Sequence, residues 1–367
     1  MEPEQTKPLF RQERTDKMKK EKLLHSTKIQ QMIAQYKHDM QLVDQLTADA
    51  EPHYEIEQEL YKKYEVKRGL RDLDGKGVRA GLTTISKVSA TQIVDGREVP
   101  AAGQLLYRGI PIEQLVQGFI THDRFGFEEI VYLLLMGHLP KADQLAQFKG
   151  LLTDYQELPN HFNSGVIMKM PSDNIMNTMA KCVLALHAYD PKPEDTSLPN
   201  VMRQCIQLVS QFPSLAVFGY QASMYFRNDR SMFIQKPDPK LSIAENILYM
   251  MRPDGKYTRL EAKLLDLCLV LHAEHGGGNN SAFTVHVVSS SGTDTYSTVA
   301  AALGSLKGPK HGGANIKVME MFEDLKQHCP AWEVEDALRE YLKGLLRGEG
   351  FDHRGLIYGM GHAVYSV

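Results

Sequence analysis

Three segments of the sequence set a histidine beside glycine residues, and these histidines are the first candidates for chemistry. The segments are LHAEHGGGN at 271–279, GPKHGGAN at 308–315 and GMGHAVY at 359–365. Their central histidines are His275, His311 and His362. An imidazole exchanges or donates a proton near neutral pH, and glycine lets the backbone approach a ligand closely. We predict that the fold brings these three residues to one pocket.

His311 has the most specific surroundings. Pro309 and the Gly312-Gly313 pair predict a turn that leads directly into a helix. The positive end of that helix and the neighbouring Lys310 both disfavour imidazolium, so we expect a lowered pKa and a neutral ring. A neutral ring can donate a hydrogen bond to an oxygen that gains charge, as the helix-terminus histidine of triosephosphate isomerase does. The alternative is a structural histidine that caps the turn.

A metal site is the other chemistry that these histidines suggest. His272 and His275 are three residues apart, a spacing that can hold a metal ion on one side of a helix. The HExxH order is absent, and no nearby carboxylate or thiolate pattern completes a ligand set. We therefore expect no metal, and no tightly bound cofactor is indicated.

Composition narrows the class of protein. The chain has 367 residues, 43% of them hydrophobic, and a formal net charge of -3, which is unlike the basic field of nucleic-acid-binding proteins. Four cysteines without a CxxC pair favour a reducing compartment. The N-terminal region carries charges of both signs, lacks the apolar segment of a secretory signal and contains acidic residues that organelle transit peptides avoid. No apolar run is long enough to span a membrane. We expect a cytoplasmic protein with neither nucleic acid nor membrane as a partner.

The elements that position the histidines are mostly helices. An amphipathic helix is predicted from Ile29, after a charged leader, and the glycine-rich stretch 67–79 is predicted as a loop. Extended runs at 85–94 and 104–107, around an Asp95-Gly96 turn, predict a minor hairpin. Further helices are expected at 125–136, 174–186, 201–211, 215–226, 293–306, 313–326 and 333–346.

Two helix starts carry capping boxes, in which a hydroxyl and a carboxylate satisfy opposite backbone amides. They are Ser242 with Glu245 and Thr258 with Glu261. The second helix carries a stripe of leucines, which predicts a buried helix that delivers His275 to a cavity; the stripe is Leu260, Leu264, Leu267 and Leu271. Pro213 is expected to separate two helices. The predicted fold class is mainly α, with little sheet.

From about Lys67 onward, the order of these motifs resembles the citrate synthase family. The matching segments, beside the three histidine segments, are RGLRD at 68–72, TTIS at 83–86, LYRG at 106–109, FEE at 127–129 and PDPKLSIAEN at 237–246. The resemblance implies a large helical domain at 51–311 and an incomplete small domain on the coenzyme A side at 312–367, after an N-terminal leader and helix at 1–50. It also implies an acyltransferase that condenses acetyl-CoA with oxaloacetate and hydrolyses citryl-CoA.

The resemblance also implies roles for single residues. His275 would bind oxaloacetate, with Asn279 lining the same pocket. His311 would hold the acetyl carbonyl oxygen as the enol forms, and His362 would polarise and protonate the oxaloacetate carbonyl. Gly359 and Gly361 would let the backbone approach coenzyme A, which is a co-substrate rather than a bound cofactor.

The general base is the part of the family pattern that is missing. In the family an aspartate downstream of the third histidine segment takes the methyl proton, and the sequence ends at Val367 before that motif. We therefore expect the 367-residue chain alone to be inactive. A 2-methylcitrate synthase, which uses propionyl-CoA, and a non-catalytic helical scaffold are the alternatives. Family members form homodimers or larger homo-oligomers, so the resemblance implies the same assembly here.

Overall fold

In a computed structural model of the chain, the structure describes residues 30–48 apart from 32 and 39, 57–67, 69, 70, 72, 83–228 and 230–360. The chain divides into two compact units, Met1–Gly77 and Val78–Val367. The predicted leader and most of the predicted loop at 67–79 lie outside the described residues.

The described residues of the first unit form two helices. Helix α1 occupies the described part of 30–48, which confirms the helix predicted there, and α2 spans Gln58–Lys63. The apolar side chains along α1 are exposed rather than packed; they are Ile33, Tyr36, Met40, Val43 and Leu46.

The second unit begins with a small antiparallel sheet. Its strands are β1 (Ser86–Val94), β2 (Arg97–Tyr107) and β3 (Ile110–Pro111), in the order β1-β2-β3. Asp95 and Gly96 connect the first two strands with φ angles of 51° and 74°. Both lie in the left-handed region that a tight hairpin turn requires, which is why aspartate and glycine are favoured there. The predicted hairpin is confirmed, with a longer second strand than expected.

Helices form the rest of the second unit, and the predicted mainly α class is confirmed. Their bounds are α3 (Ile112–Thr121), α4 (Phe127–Met136), α5 (Ala142–Tyr155), α6 (Ile175–Leu186), α7 (Leu198–Asn228), α8 (Ile243–Met251), α9 (Arg259–His272), α10 (Asn280–Ser289), α11 (Thr295–Leu306), α12 (Ala314–His328) and α13 (Glu335–Leu346). Both predicted capping boxes are present, at the starts of α8 and α9. No helix in the described part of the chain combines the length and the apolar character needed to cross a membrane.

Three apolar clusters hold these helices, and two of them position the elements next to the candidate histidines. In the first, α6, α7 and α11 meet through side chains that include Val183, Leu215 and Tyr296. In the second, β2, α3, α4 and α9 meet through Tyr107, Phe119, Ile130 and Val270. Burial of such side chains stabilises the fold by about 1.5–3 kcal/mol each. The first cluster fixes α11, which runs into the turn of His311, and the second fixes α9, which runs into the loop of His275.

The prediction that Pro213 separates two helices is wrong. Helix α7 is continuous over Leu198–Asn228, with Pro213 inside it. A proline in a helix interior removes one hydrogen bond and costs roughly 3 kcal/mol. Its neighbours Ser210, Ser214 and Leu215 are all buried. Packing on both sides of the proline outweighs the local penalty.

The prediction of a buried leucine stripe on α9 is also wrong. Leu260, Leu264 and Leu271 are 67%, 56% and 47% exposed. The buried face of α9 carries Ala262, Asp266 and Val270 instead. The Asp266 carboxylate accepts hydrogen bonds from the backbone N–H groups of Gly126 and Phe127, at 2.7 and 3.1 Å, and so caps α4. This polar anchor fixes which face of α9 turns inward, and the leucine pattern therefore points outward.

A buried polar network holds the start of α11. The Asp190 carboxylate accepts hydrogen bonds from the Tyr296 hydroxyl at 2.6 Å and from the Arg203 guanidinium at 2.7 Å, and Gln204 donates to it as well. Burial alone would raise the pKa of Asp190, but these hydrogen bonds lower it to about 2. The ionised carboxylate is thus part of the folded structure, and it ties α11 to α7.

We predict that this network makes stability depend on acid pH. The pKa of Asp190 is about 2 when folded and about 3.9 when unfolded. A lowered carboxyl pKa contributes stability that is present above about pH 4 and is lost as pH falls towards pH 2, and the contribution is about 2 kcal/mol. Asp190→Asn should lower the free energy of unfolding at pH 7 and flatten its fall between these pH values, as measured by urea titration.

The matched control is Asp143→Asn, because Asp143 is an exposed carboxylate in the first turn of α5. It should leave the acid dependence of unfolding unchanged. An Asp190→Asn protein that keeps the wild-type pH profile would contradict the assignment.

Candidate active site

The Tyr107 hydroxyl fixes the end of α9, from which the loop of His275 starts. Tyr107 is fully buried. Its hydroxyl donates to the carbonyl oxygen of Val270 at 2.9 Å and accepts from the backbone N–H of Glu274 at 3.3 Å. Burial raises the pKa of Tyr107, so the phenol stays protonated and can donate. The hairpin therefore holds both sides of the point where the helix stops.

The glycines after His275 are needed for packing against β1. Gly276 has a φ of 85°, which favours glycine, and a Cβ placed there would lie 3.3 Å from the Val88 side chain. A Cβ at Gly277 would lie 3.2 Å from the Thr83 side chain. At these two positions the absence of a Cβ leaves room for the side chains of Val88 on β1 and of Thr83 just before it.

His275 is exposed on this loop, and Asn279 ends it. The backbone N–H of His275 donates to the Glu274 carboxylate at 3.0 Å, and Ser86 donates to the same oxygen at 3.1 Å. The Asn279 amide accepts from the Ala282 N–H at 2.9 Å, as the N-cap of α10, and donates to the Gly276 carbonyl at 2.6 Å. Asn279 therefore caps α10 and closes the loop that contains His275.

His311 lies in a tight turn between α11 and α12, as predicted. Its backbone N–H donates to the Gly308 carbonyl at 2.9 Å, and its own carbonyl accepts from Ala314 at 3.0 Å. A Cβ at Gly313 would lie 2.3 Å from the carbonyl oxygen of Lys307, closer than real Cβ contacts. Glycine is therefore required for the turn itself, and the turn fixes where the imidazole lies.

A hydrogen bond joins the His311 ring to α10. Nε2 of His311 lies 2.9 Å from the Ser281 hydroxyl. Burial lowers the pKa of His311 below its ordinary value, so the ring is neutral near pH 7. The lowered pKa agrees with the sequence interpretation, but its cause differs: desolvation of the ring, rather than Lys310 or the helix end, produces the shift.

Ser281 connects two of the three histidine segments. It lies in the first turn of α10, and the loop of His275 leads into that helix. Asn280 adds a second link, since its side chain donates to the Ser305 hydroxyl near the end of α11 at 3.0 Å. The structure thus joins the His311 turn to the helix that follows His275, through side chains rather than through the two imidazoles themselves.

The third segment is described only in part. His362 and Gly361 lie outside the described residues. Gly359 has a φ of 84°, and a Cβ there would lie 3.2 Å from the Val318 side chain on α12. The backbone before His362 therefore packs on the helix that begins three residues after His311.

Possible metal ligands occur elsewhere in the described structure. His187, Glu194 and Asp294 place their ligand atoms within 4.8 Å of one another. Nε2 of His187 already pairs with the Glu194 carboxylate at 2.8 Å. Nδ1 of His272 lies 2.7 Å from the Cys268 carbonyl of its own helix, which does not favour a shared metal with His275.

Sequence reasoning missed two residues of this region. Ser281 gives no sequence signal, because a serine in the first turn of a helix is common and its bond to His311 spans 30 positions. Tyr107 stands in the LYRG motif, but the sequence does not reveal that its hydroxyl meets the end of α9.

A mainly α fold with histidine loops at helix ends can be compared with known proteins. The family profile described as "Citrate synthase, C-terminal domain" matches residues 70–367. A curated citrate synthase of Deinococcus radiodurans is 33% identical, covering 79% of this chain and 68% of the relative. "2-methylcitrate synthase 2" of Corynebacterium glutamicum is 31% identical over 79% of this chain and 68% of its own length.

The fold comparison agrees. The crystal structure of citrate synthase from Pyrobaculum aerophilum matches with a TM-score of 0.62 and 27% identity, covering 82% of this chain and 69% of that chain. The helical fold, the matching family profile and the similar relatives together define a protein of the citrate synthase class. The chain belongs to the citrate synthase family.

We predict that Ser281 selects the tautomer of His311. Ser281→Ala removes the bond at Nε2, so the ring nitrogens should shift towards a mixture of tautomers in ¹H–¹⁵N NMR spectra. The pKa of His311 should stay below the ordinary histidine value, because burial of the ring remains. Ser305→Ala is the matched control, since it removes the bond to Asn280 and leaves His311 untouched. Unchanged ring shifts in Ser281→Ala would contradict the assignment.

Proposed function

We propose that this protein is a citrate synthase, in which His275 holds oxaloacetate and His311 holds the carbonyl oxygen of the acetyl thioester. The observation that carries the proposal is the neutral, half-buried His311 ring fixed by Ser281. Membership of the citrate synthase family supports the choice of substrates. His362, with Gly359 and Gly361 approaching coenzyme A, completes the proposed set.

The geometry of His311 suits donation of a hydrogen bond. If the Ser281 hydroxyl donates to Nε2, the ring proton resides on Nδ1. Among the described residues, no hydrogen-bond partner is found for Nδ1, so that N–H is available to a ligand. A neutral donor stabilises the oxygen of the forming enol without first losing a proton.

The reaction follows from these roles. A base removes a proton from the acetyl methyl group while Nδ1–H of His311 donates to the thioester oxygen. The enol carbon attacks the keto carbon of oxaloacetate, whose oxygen accepts a proton from His362. Water then cleaves the thioester and releases coenzyme A as a free thiol. We assign the base to none of the 367 residues, so ligand binding tests the histidines more directly than turnover does.

Oxaloacetate binding is the first test of the proposal. A ligand that binds only the folded state stabilises it by about 2.7 kcal/mol at a hundred times its Kd. Oxaloacetate should therefore raise the Tm of the protein, and His275→Ala should weaken its binding at least about tenfold, since a charge-assisted hydrogen bond contributes roughly 1.5–3 kcal/mol. Thermal unfolding and calorimetric titration measure both effects.

The matched control is His272→Ala. His272 is exposed, is the last residue of α9, three positions before His275, and its ring bonds to the Cys268 carbonyl of that helix. Its replacement should leave oxaloacetate binding unchanged. Absence of any oxaloacetate effect on the Tm of the unaltered protein would favour the alternative of a non-catalytic helical scaffold.

The acyl group is the second question, because relatives with both names have similar identities to this chain. A 2-methylcitrate synthase would use propionyl-CoA in place of acetyl-CoA. Thiol release by a chain that continues through the family's aspartate motif should have a higher kcat/KM with acetyl-CoA, and His311→Ala should abolish it. A preference for propionyl-CoA would establish the alternative. Light scattering of the same sample should give the mass of a homodimer or larger homo-oligomer.

A further inference from the structure

A cavity of about 270 Å³ lies among α4, α5, α7 and α8. None of the predicted site residues lines it. Four charged side chains line it: Glu128 from α4, Lys149 from α5, Lys240 from the segment before α8 and Glu245 from α8. The Glu245 carboxylate already accepts hydrogen bonds from Ser242 and from the Tyr257 hydroxyl. Ser210 and Ser214, one turn apart on α7, add hydroxyl groups. Its volume is below the roughly 300–1,000 Å³ of pockets for drug-sized ligands, so its occupant is a smaller molecule.

Glu128 lines the cavity, and one of its carboxylate oxygens accepts no hydrogen bond from the described residues. The residue is 3% exposed. One carboxylate oxygen, Oε1, accepts from the backbone N–H of Ile243 at 2.8 Å and so caps the start of α8. The other, Oε2, is buried and has no hydrogen-bond partner among the residues that the structure describes. An unpaired buried carboxylate oxygen is costly, and a ligand that supplies an N–H group would remove that cost.

The two lysines of the lining supply positive charge to the cavity. Within residues 83–228 and 230–360, neither Lys149 nor Lys240 forms an ion pair. The charge of Lys149 also acts on the buried Asp266: burial raises the pKa of that carboxyl, and Lys149 lowers it. Lys149 therefore lies in the same region as two buried carboxyl groups but is bonded to neither. An anionic group in the cavity would meet both ammonium groups.

The rim of the cavity is already ordered. Asn246, which is 4% exposed, accepts from the Asp238 N–H at 2.8 Å. Its amide donates to the carbonyl oxygens of Asp238 and Leu241 at 3.0 and 3.2 Å. Pro237 and Pro239 restrict the backbone on either side of Asp238. Because these contacts lie entirely within the chain, binding requires little ordering of the rim.

We propose that this cavity binds a small zwitterion, a molecule with an ammonium group at one end and a carboxylate at the other. The ammonium group donates to Oε2 of Glu128. The carboxylate faces Lys149 and Lys240. A zwitterion matches the cavity because groups of both signs line it. A simple anion would also meet the Glu128 carboxylate, and a simple cation would also meet the lysines.

Three probes of similar length test both ends of the ligand: 4-aminobutanoate, butanoate and butylammonium. In calorimetric titration and ligand-observed NMR, 4-aminobutanoate should bind saturably at millimolar concentration or below. Butanoate and butylammonium should each bind at least about tenfold more weakly, because each lacks one charge-assisted hydrogen bond. Equal binding of a one-ended probe would overturn the proposal, as would absence of saturable binding by 4-aminobutanoate.

Variants then place the ligand in the cavity. Glu128→Gln keeps an oxygen for the Ile243 N–H but removes the charge, and it should weaken 4-aminobutanoate binding about tenfold or more. Glu113→Gln is the matched control, since Glu113 is an exposed carboxylate at the same second position of α3. Lys149→Met should also weaken binding, and it leaves the hydrogen bond between Glu128 and the start of α8 in place. Unchanged binding in both Glu128→Gln and Lys149→Met would show that the ligand binds elsewhere.

Discussion

A single buried hydroxyl sets the position of the His275 loop. Tyr107 reaches across from β2 to the last turn of α9 and bonds to groups on both sides of the point where the helix ends. An isolated two-stranded hairpin is marginally stable in water, so the sheet also depends on this contact with the helical core. The hairpin and α9 therefore stabilise each other, and the geometry of the loop after the helix depends on both.

Glycines around the histidines allow close packing of the backbone. For Gly276, Gly277 and Gly359, an added Cβ would lie 3.2–3.3 Å from a neighbouring side chain, so those neighbours would have to shift. For Gly313, an added Cβ would lie less than 3 Å from backbone carbonyl oxygens. The turn of His311 therefore requires glycine at position 313, and the position of the imidazole depends on that turn.

Local chemistry made much of this fold predictable. The Asp95-Gly96 turn and the two capping boxes were read correctly because their bonds close within a few residues. The direction of the His311 pKa shift was also correct, although its cause was not, since burial is a property of the whole fold. Pro213 inside α7 and the outward leucines of α9 were missed because packing and the buried Asp266 outweigh local preference.

The proline within α7 has a consequence for how that helix opens. Pro213 has no amide hydrogen, so the carbonyl oxygen four residues earlier lacks its usual hydrogen bond within the helix. Local opening of a helix involves neighbouring backbone hydrogen bonds together, as amide hydrogen exchange shows. A missing hydrogen bond weakens that coupling, and we expect the two halves of this 31-residue helix to open more independently than they would in an unbroken helix. Fraying at Asn228 would then be only weakly coupled to the half that carries Arg203 and Gln204.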